Sequence, residues 1–246
     1  MRVVVAGATG RIGTRTVARL RDHGVEVMPV SRSAGVDIVT GRGLAAALRG
    51  ADVIVDVTEA PSRAEAPSVE FFGTATGNLL EAAATAGVEH YVALSLVGAD
   101  RVQRGYFRAK AVQEERARRS PVPHSVVRAT PFFESVDALA RSTAHTDGVH
   151  VAPVLTRPVS TDDVATELAH VAVGLPLFGV LETAGPEEYR LDELTAKLLA
   201  ARGDLRGVVA DPRAPFFGAL LAERSLLPGP SPRSGHETLD RWLDRR

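Results

Sequence analysis

A glycine-rich loop near the start of the chain constrains its fold more than any other feature. Gly7-Ala-Thr-Gly10-Arg-Ile-Gly13 follows an apolar, β-branched segment, Val3–Ala6, and opens a stretch with helical spacing. In such a loop Gly7 makes the tight turn, Gly10 lets the backbone approach a pyrophosphate, and Gly13 lets helix and strand pack closely. The amides of the first helical turn then point their dipole at the anion. The loop therefore predicts a strand–loop–helix unit that binds a dinucleotide.

Short apolar strands and helical segments alternate through the first half of the chain. The predicted strands are Val3–Ala6, Val25–Val30, Val36–Val39, Val53–Val57, Tyr91–Ser95 and Ser125–Arg128, and the predicted helices are Gly10–His23, Leu44–Leu48, Val69–Ala86 and Tyr106–Arg119. Strands that are apolar on consecutive residues are typical of a parallel sheet covered by helices on both faces. This order predicts an α/β fold with a doubly wound parallel sheet of the Rossmann type.

The alternation loosens after about residue 130, where prolines and paired phenylalanines interrupt it. Ser160-Thr-Asp-Asp163 is typical of a helix start of the capping-box type. The other predicted elements are a helix at Leu191–Arg202, a strand at Val208–Val209, and a Pro/Gly/Ser linker at 227–236 before a short terminal helix. We expect one domain over 1–246, with a dinucleotide-binding part at 1–130 and a small C-terminal α/β cap for the substrate at 131–246.

Composition excludes several classes of protein. The chain has 29 basic and 30 acidic residues, a net charge of −1, and no cysteine. A protein dedicated to nucleic acid or an anionic membrane would carry a basic excess, and a chain without cysteine has no thiol chemistry. His145-x-Asp147-x-x-His150 lacks a third fixed ligand, so we expect no metal. We expect a cytoplasmic monomer or homodimer whose partner is a small-molecule substrate, with no nucleic acid and no membrane.

The end of the second predicted strand indicates which dinucleotide is bound. It reads Pro29-Val30-Ser31-Arg32-Ser33, without the acid that normally binds the ribose 2′-hydroxyl of NAD. Ser31 and Arg32 instead supply hydroxyl and guanidinium donors that suit a 2′-phosphate. The sequence therefore favours NADP(H) over NAD(H), although an arginine in a surface loop is also often only solvated.

Tyr106-Phe-Arg-Ala-Lys110 opens the helix after the fifth strand, so its first and last side chains share one helix face. An ammonium group beside a phenol lowers the phenol pKa towards the working range of a general acid. Ser95, at the carboxyl end of the preceding strand, is placed to hydrogen-bond the same substrate oxygen. The alternative is purely structural: Tyr106 begins a helix, Lys110 is solvated and Ser95 caps a strand.

The pair Phe132-Phe133 follows the carboxyl end of another strand, which is where doubly wound sheets hold their ligands. We expect this pair to contribute to an apolar substrate pocket. The alternative is that both rings are core residues.

The glycine loop, Ser95, Tyr106-x-x-x-Lys110 and Arg128-Ala-Thr-Pro-Phe-Phe133 together resemble the atypical short-chain dehydrogenase/reductase superfamily. The nearest branch is the NmrA-like, NAD(P)H-binding one, which includes isoflavone-, triphenylmethane- and quinone-reductase-like proteins. Val159-Ser-Thr-Asp-Asp163-Val-Ala and Ala184-Gly-Pro186 resemble later segments of that branch, so the likeness spans almost the whole chain.

The resemblance implies a set of cofactor contacts. It implies Thr9, Gly10, Arg11 and Ile12 at the pyrophosphate, Arg32 at the 2′-phosphate, Val57 and Thr58 along the cofactor, and Lys110 on the nicotinamide ribose. The chain departs from the branch after the third predicted strand, where Val39-Thr40-Gly41-Arg42-Gly43 lacks the acid that would contact adenine.

The predicted activity is that of an NADP(H)-dependent oxidoreductase for a small apolar or aromatic carbonyl or quinone-like substrate. In this interpretation Tyr106 is the general acid, Lys110 tunes it and Ser95 orients the substrate oxygen. Two alternatives stay open: a non-redox epimerase or dehydratase on the same scaffold, and a regulatory protein that senses NADP without turnover.

Overall fold

A seven-stranded parallel sheet organises the molecule. The computed structural model describes residues 1–245, apart from the side chains at positions 137, 138 and 142. The strands of the main sheet are β1 (Arg2–Ala6), β2 (Glu26–Val30), β3 (Val53–Asp56), β4 (His90–Leu96), β5 (His124–Ala129), β9 (Gly179–Ala184) and β12 (Arg233–Ser234). Their spatial order is β12-β9-β5-β4-β3-β1-β2. The predicted doubly wound parallel sheet is confirmed.

Helices cover both faces of this sheet. They are α1 (Arg11–Asp22), α2 (Leu44–Ala47), α3 (Glu65–Ala86), α4 (Gly105–Arg119) and α6 (Thr161–Val173). Alternate residues of β1 point to opposite faces, as the period of a strand requires. Val3 and Val5 join the core beneath α1 and α6, whereas Val4 and Ala6 join the core beneath α2 and α3. Both faces of the strand are therefore buried, which explains why its sequence is apolar without interruption.

The remaining elements form a cap beside the sheet. They are α5 (Phe133–Ser142), β6 (Ala144–His145), β7 (Gly148–Val151), β8 (Leu155–Thr156), β10 (Tyr189–Arg190), α7 (Leu191–Ala200), β11 (Val208–Ala210) and α8 (Leu239–Asp244). β6, β7 and β11 make a three-stranded sheet, and β8 pairs with β10. Phe133, Leu191 and Trp242 are among the buried side chains that hold the cap together. The late strand at 208–209 and the helix start at Ser160, whose side chain accepts from the Asp163 amide, are both confirmed.

Two sequence predictions about elements are wrong. Residues 36–39 do not form a strand, because left-handed Gly35, Gly41 and Gly43 bend the chain there and Asn78 Nδ2 donates to the carbonyls of Ile38 (3.0 Å) and Val39 (2.7 Å). The sheet therefore ends at β2. Residues 227–236 are more than a linker, because they contain β12, which pairs with the end of β9.

The part of the chain after residue 130 contributes to both layers. It supplies strands β9 and β12 of the main sheet and helix α6, which packs on that sheet. The other late elements belong to the cap. Across residues 1–245, no helix combines the length and the apolar character needed to cross a bilayer.

Candidate functional site

The glycine loop sits where the order of the sheet reverses, since β2 lies on one side of β1 and β3 on the other. Gly7 is left-handed, with φ +82°, and a Cβ at this position would lie 2.8 Å from the Val57 carbonyl oxygen. A Cβ on Gly13 would lie 2.1 Å from the Gly7 oxygen. Both positions require glycine for close backbone contact, as the sequence predicts, and the loop is packed against the ends of two strands.

The start of α1 is suited to an anion. Gly10 is its N-cap and provides no capping side chain, and the first turn carries no acid. The amides there are therefore available to a phosphate, and Arg11 is exposed beside them. Gly10, Arg11 and Ile12 line a cavity at this edge of the sheet. The residues present fit a dinucleotide pyrophosphate; Thr9 is exposed on the same loop but is not part of the cavity wall.

Ser31 and Arg32 lie next to this loop, because the Gly7 and Ala8 amides both donate to the Val30 carbonyl. A single 3₁₀ turn follows at Arg32–Ala34. Ser31 Oγ accepts from the Ala34 amide and lies 2.8 Å from Ser33 Oγ. Arg32 is exposed, and within residues 1–245 its guanidinium has no ion pair. This corner holds hydroxyls and a free cation where the 2′-substituent of an adenosine ribose is expected.

The cavity has a volume of about 420 Å³ and lies between the carboxyl edge of the sheet and the cap. From the sheet side it is lined by residues that include Val57, Thr58, Ser95, Tyr106 and Lys110. From the cap side it is lined by residues that include Phe132, Glu134, Arg141, Phe216 and Phe217. A larger depression of about 1000 Å³ is open on the outer surface around α3 and α4, but it contains none of the glycine-loop residues. The smaller cavity is therefore the candidate active site.

Tyr106 lines this cavity, but its surroundings differ from the prediction. Burial raises the pKa of Tyr106 well above its ordinary value, and the Glu59 carboxylate raises it further, while the Arg63 guanidinium opposes them. The expectation that Lys110 would bring the phenol pKa towards neutrality is thus wrong, because burial raises that pKa most strongly and the Glu59 carboxylate raises it further.

Lys110 points into a buried polar network. Its Nζ donates to Gln113 Oε1 and lies 4.3 Å from the centre of the Phe72 ring. Gln113 Nε2 in turn donates to Asp56 Oδ2 (2.9 Å), which also accepts from the Tyr91 hydroxyl (2.6 Å). Burial lowers the pKa of Lys110 to about 8, against the opposing pull of nearby acids. Lys110 is therefore held at the cavity wall with an easily lost proton.

The same network reaches the residues predicted to run along the cofactor. Asp56 Oδ1 accepts from both the amide (3.0 Å) and the hydroxyl (2.6 Å) of Thr58. Val57 is buried, and its backbone packs so closely against Gly7 that a Cβ on Gly7 would lie 2.8 Å from the Val57 carbonyl oxygen. Val57 and Thr58 are thus fixed next to the glycine loop by backbone contact on one side and a buried carboxylate on the other.

Ser95 reaches the cavity from the end of β4 and donates its hydroxyl proton to Glu114 Oε1 at 2.5 Å. Glu114 is buried and also accepts two hydrogen bonds from Arg128, at 2.9 and 2.6 Å. Because its proton is engaged, Ser95 is left with lone pairs for a ligand. The structure brings Ser95 and Tyr106 to one cavity, with Ser95 as an acceptor there.

The two adjacent phenylalanines differ in position. Phe132 is half-buried and lines the cavity. Phe133 is buried in the cap core, with its ring centre 5.2 Å from that of Trp242. Only Phe132 therefore agrees with the predicted substrate pocket. Phe133 begins α5, and its side chain turns away into the cap.

Sequence reasoning missed Glu59 and Arg63, which line the cavity from the loop between β3 and α3. Arg63 Nε lies 3.0 Å from Glu59 Oε1, and its guanidinium carbon lies 4.4 Å from the centre of the Phe217 ring. The opposite charges four residues apart are the one signal in the sequence. They lie outside a helix, so that spacing did not identify them.

The predicted absence of a metal site concerned His145, Asp147 and His150. His150 bonds Asp147 Oδ1 (3.0 Å) and Asp211 Oδ2 (3.1 Å), and its ring centre lies 4.5 Å from that of His145. Over the described part of the chain, no group of three or more potential ligands is arranged to hold a metal ion. These side chains lie in and around the small sheet of the cap and are separate from the cavity.

Comparisons with known proteins agree with this geometry. The family model described as NAD(P)H-binding matches residues 7–173, and no curated protein matches significantly. Among solved structures, an Escherichia coli NADPH-dependent quinone oxidoreductase complexed with NADPH aligns with a TM-score of 0.65 and 20% identity over 86% of this chain and 78% of its own.

Two further structures show how widely this fold is used. A short-chain dehydrogenase/reductase superfamily protein from Agrobacterium tumefaciens with bound NAD has a TM-score of 0.71 and 18% identity, covering 100% of this chain and 95% of that one. A Thermus thermophilus UDP-glucose 4-epimerase complexed with NAD has a TM-score of 0.68 and 19% identity, covering 92% of each chain. At this level of identity the structures show a common fold. With the family match over residues 7–173, the chain belongs to the NAD(P)H-binding family.

Proposed function

We propose that the protein is an NADP(H)-dependent oxidoreductase that transfers hydride to a small apolar or aromatic carbonyl or quinone-like substrate. The observation that carries the proposal is that one cavity joins a glycine loop open to an anion with the Tyr106 hydroxyl and the Ser95 oxygen. The quinone oxidoreductase with bound NADPH lends support as a structure of the same fold.

The chain offers donors for each part of NADP(H). The amides at the start of α1 and Arg11 would bind the pyrophosphate, and Ser31 and Arg32 would bind the 2′-phosphate. Val57 and Thr58 would lie along the cofactor, and Lys110 would contact the nicotinamide ribose. When bound, the reduced cofactor supplies hydride. The buried Lys110–Gln113–Asp56 network keeps the wall beside it rigid.

The electrostatics around Tyr106 keep its phenol protonated at neutral pH. The protonated phenol can donate a hydrogen bond to a substrate oxygen and would transfer its proton as negative charge develops there. With hydride supplied by the bound cofactor, Tyr106 would give its proton to the substrate oxygen and would be reprotonated from water. Ser95, as an acceptor, would orient a hydroxyl of the substrate or of the product.

A nucleotide-sugar epimerase is the second candidate, because such an enzyme shares the fold. A cavity of about 420 Å³ lies in the lower part of the usual range for ligand sites, and nicotinamide would occupy some of it. A small substrate therefore fits better than a nucleotide sugar. The third candidate is a sensor of NADP without turnover. It does not explain why Tyr106 and Ser95 both line the cavity.

The first test is a fluorescence titration of the protein with NADPH and, separately, with NADH. We expect NADPH to bind more tightly, and Arg32→Ala to abolish that preference while leaving NADH affinity unchanged. Arg21→Ala, an exposed arginine at the end of α1, is the matched control. Failure of both nucleotides to bind would overturn the proposed function.

Turnover then separates the three candidates. We expect quinones or aromatic aldehydes to be reduced with net NADPH consumption, and Tyr106→Phe to lower kcat by about 10²-fold or more, because it removes the proton donor. Binding without any NADPH consumption would favour the sensor. Conversion of a substrate without net consumption would favour the epimerase.

A further inference from the structure

Four basic side chains line the cavity, and three of them are already engaged. Lys110 donates to Gln113, Arg63 is paired with Glu59, and Arg11 stands at the anion-binding start of α1. The fourth is Arg141, on α5. It is exposed, and among the side chains that the structure describes it has no ion pair and no hydrogen bond. The cavity thus contains one cation that neither the protein nor the proposed cofactor contacts use.

The acids of the cavity wall do not neutralise Arg141. Glu59 is paired with Arg63. Glu134 Oε1 accepts from Thr161 Oγ1 (2.8 Å) and from Trp242 Nε1 (3.4 Å). Glu134 Oε2 is buried and has no hydrogen-bond partner among the described residues, but it lies at the first turn of α5, two turns before Arg141. Neither acid forms an ion pair with Arg141.

The position of Arg141 relates it to the substrate end of the cavity. Seven residues separate it from Glu134, so both lie on one face of α5, about 10 Å apart along the axis. The wall around them includes Phe132, Phe216 and Phe217, which would cover an aromatic or other flat apolar body. The phosphates of the cofactor have their own donors at Arg11, α1 and Arg32. An anion at Arg141 would therefore come from the substrate.

We propose that Arg141 binds a carboxylate of the substrate, and that the substrate is an aromatic or similarly flat carbonyl compound carrying that group. A guanidinium matches the two oxygens of a carboxylate in a planar, bidentate contact. The aromatic rings would hold the apolar body, and Tyr106 would face the reacting oxygen. The role of Tyr106 rests on the proposed function, whereas the binding of a carboxylate by Arg141 does not.

Calorimetric titration with two ligands of almost equal shape tests the anion site without turnover. The ligands are 2-naphthoate and 2-naphthamide, each added to the protein with and without NADP⁺. We expect naphthoate to bind the wild-type protein about tenfold more tightly than naphthamide. Arg141→Gln should make the two affinities equal. Arg116→Gln, an exposed arginine on the outer side of α4, is the matched control and should keep the tenfold preference.

Two outcomes would overturn the site: equal affinities in the wild-type protein, or a preference that survives Arg141→Gln. A third outcome would also overturn the carboxylate site: Arg141→Gln weakens NADPH binding and leaves naphthoate binding unchanged. Arg141 would then bind the cofactor rather than the substrate.

Turnover of 4-carboxybenzaldehyde and 4-formylbenzamide tests the link to the proposed function. We expect kcat/KM to favour the carboxylate about tenfold in the wild-type protein and to be equal in Arg141→Gln. If neither aldehyde consumes NADPH while naphthoate still binds through Arg141, the proposed function fails and the anion site stands.

Discussion

The proton of Tyr106 is controlled by residues that no local pattern identifies. Its position at the start of a helix could be predicted, because the aromatic residue follows a strand and a loop. Which charge faces its hydroxyl depends on the path of the loop after β3, which brings in Glu59 and Arg63. The four-residue spacing to Lys110 correctly predicts a shared helix face. It does not predict that the ammonium group turns to Gln113 in a buried network.

After burial, which acts most strongly, the Glu59 carboxylate should raise the pKa of Tyr106. In Glu59→Gln the adjacent negative charge is removed, so we expect the pKa of Tyr106 to fall and its tyrosinate absorbance to appear at lower pH. Ultraviolet pH titration against the Tyr106→Phe variant isolates this signal. Glu70→Gln, an exposed acid on α3, should leave it unchanged. An identical titration for Glu59→Gln and wild type would contradict the contact between Glu59 and the phenol.

At the scale of elements, the sequence predicts best where burial is strongest. The strands β1, β3, β4 and β5 are apolar on consecutive residues and lie within a residue or two of their predicted bounds. Residues 36–39 are also mostly apolar, yet they form a loop. Three left-handed glycines bend the chain on either side of them, and the Asn78 side chain hydrogen-bonds their carbonyls. Apolar composition alone does not distinguish these cases. The edge strand β12 was missed because two residues in a Pro/Gly-rich segment give no periodic signal.

Replacement of glycine by alanine should raise stability in one helix and weaken cofactor binding in another. Gly77 lies in the interior of α3, where an added Cβ would have nothing within 4 Å, so Gly77→Ala should stabilise the protein by about 0.5–1 kcal/mol through helix propensity. Gly13→Ala should weaken NADPH binding at least tenfold, because its Cβ would displace the Gly7 carbonyl and with it the anion loop. Urea unfolding and NADPH titration of both variants test this. Tight NADPH binding by Gly13→Ala would show that the loop does not need the close contact.

At the scale of the whole molecule, two histidines should limit the pH range of stability from opposite sides. His90 begins β4 with its Nε2 2.8 Å from Ser125 Oγ, and burial, with a smaller effect of His124, lowers the pKa of His90 to about 4. His150, between Asp211 and Asp147 in the cap, has its pKa raised by hydrogen bonds to those carboxylates. One histidine is thus held neutral and the other is held charged.

Between pH 4.5 and 8, the shifts of these two histidines predict greatest stability near pH 6.5. Unfolded His90 takes up a proton near pH 6.5 and the folded residue only near 4, so stability falls between those values, by on the order of 2 kcal/mol. The contribution of His150 is fully present below pH 6.5 and is lost as pH rises through its folded pKa. Urea unfolding from pH 4.5 to 8 should show a flatter acid side in His90→Gln and a flatter alkaline side in His150→Gln. Unchanged profiles in both variants would refute this account.

The pairing of β12 with β9 has a consequence for how the protein is made. The dinucleotide loop is synthesised first, but the sheet that supports it acquires its last strands only when residues 179–184 and 233–234 have left the ribosome. Asp163, at the start of α6, also accepts from the amides of His236 (3.2 Å) and Glu237 (3.1 Å). Until then the nascent chain carries an open sheet edge at β5, which is a site for wrong pairing with other chains. The cofactor-binding fold is therefore completed only after residues 233–234 have emerged, and chaperones that shield extended edges should associate with the chain while residues 130–234 are being synthesised.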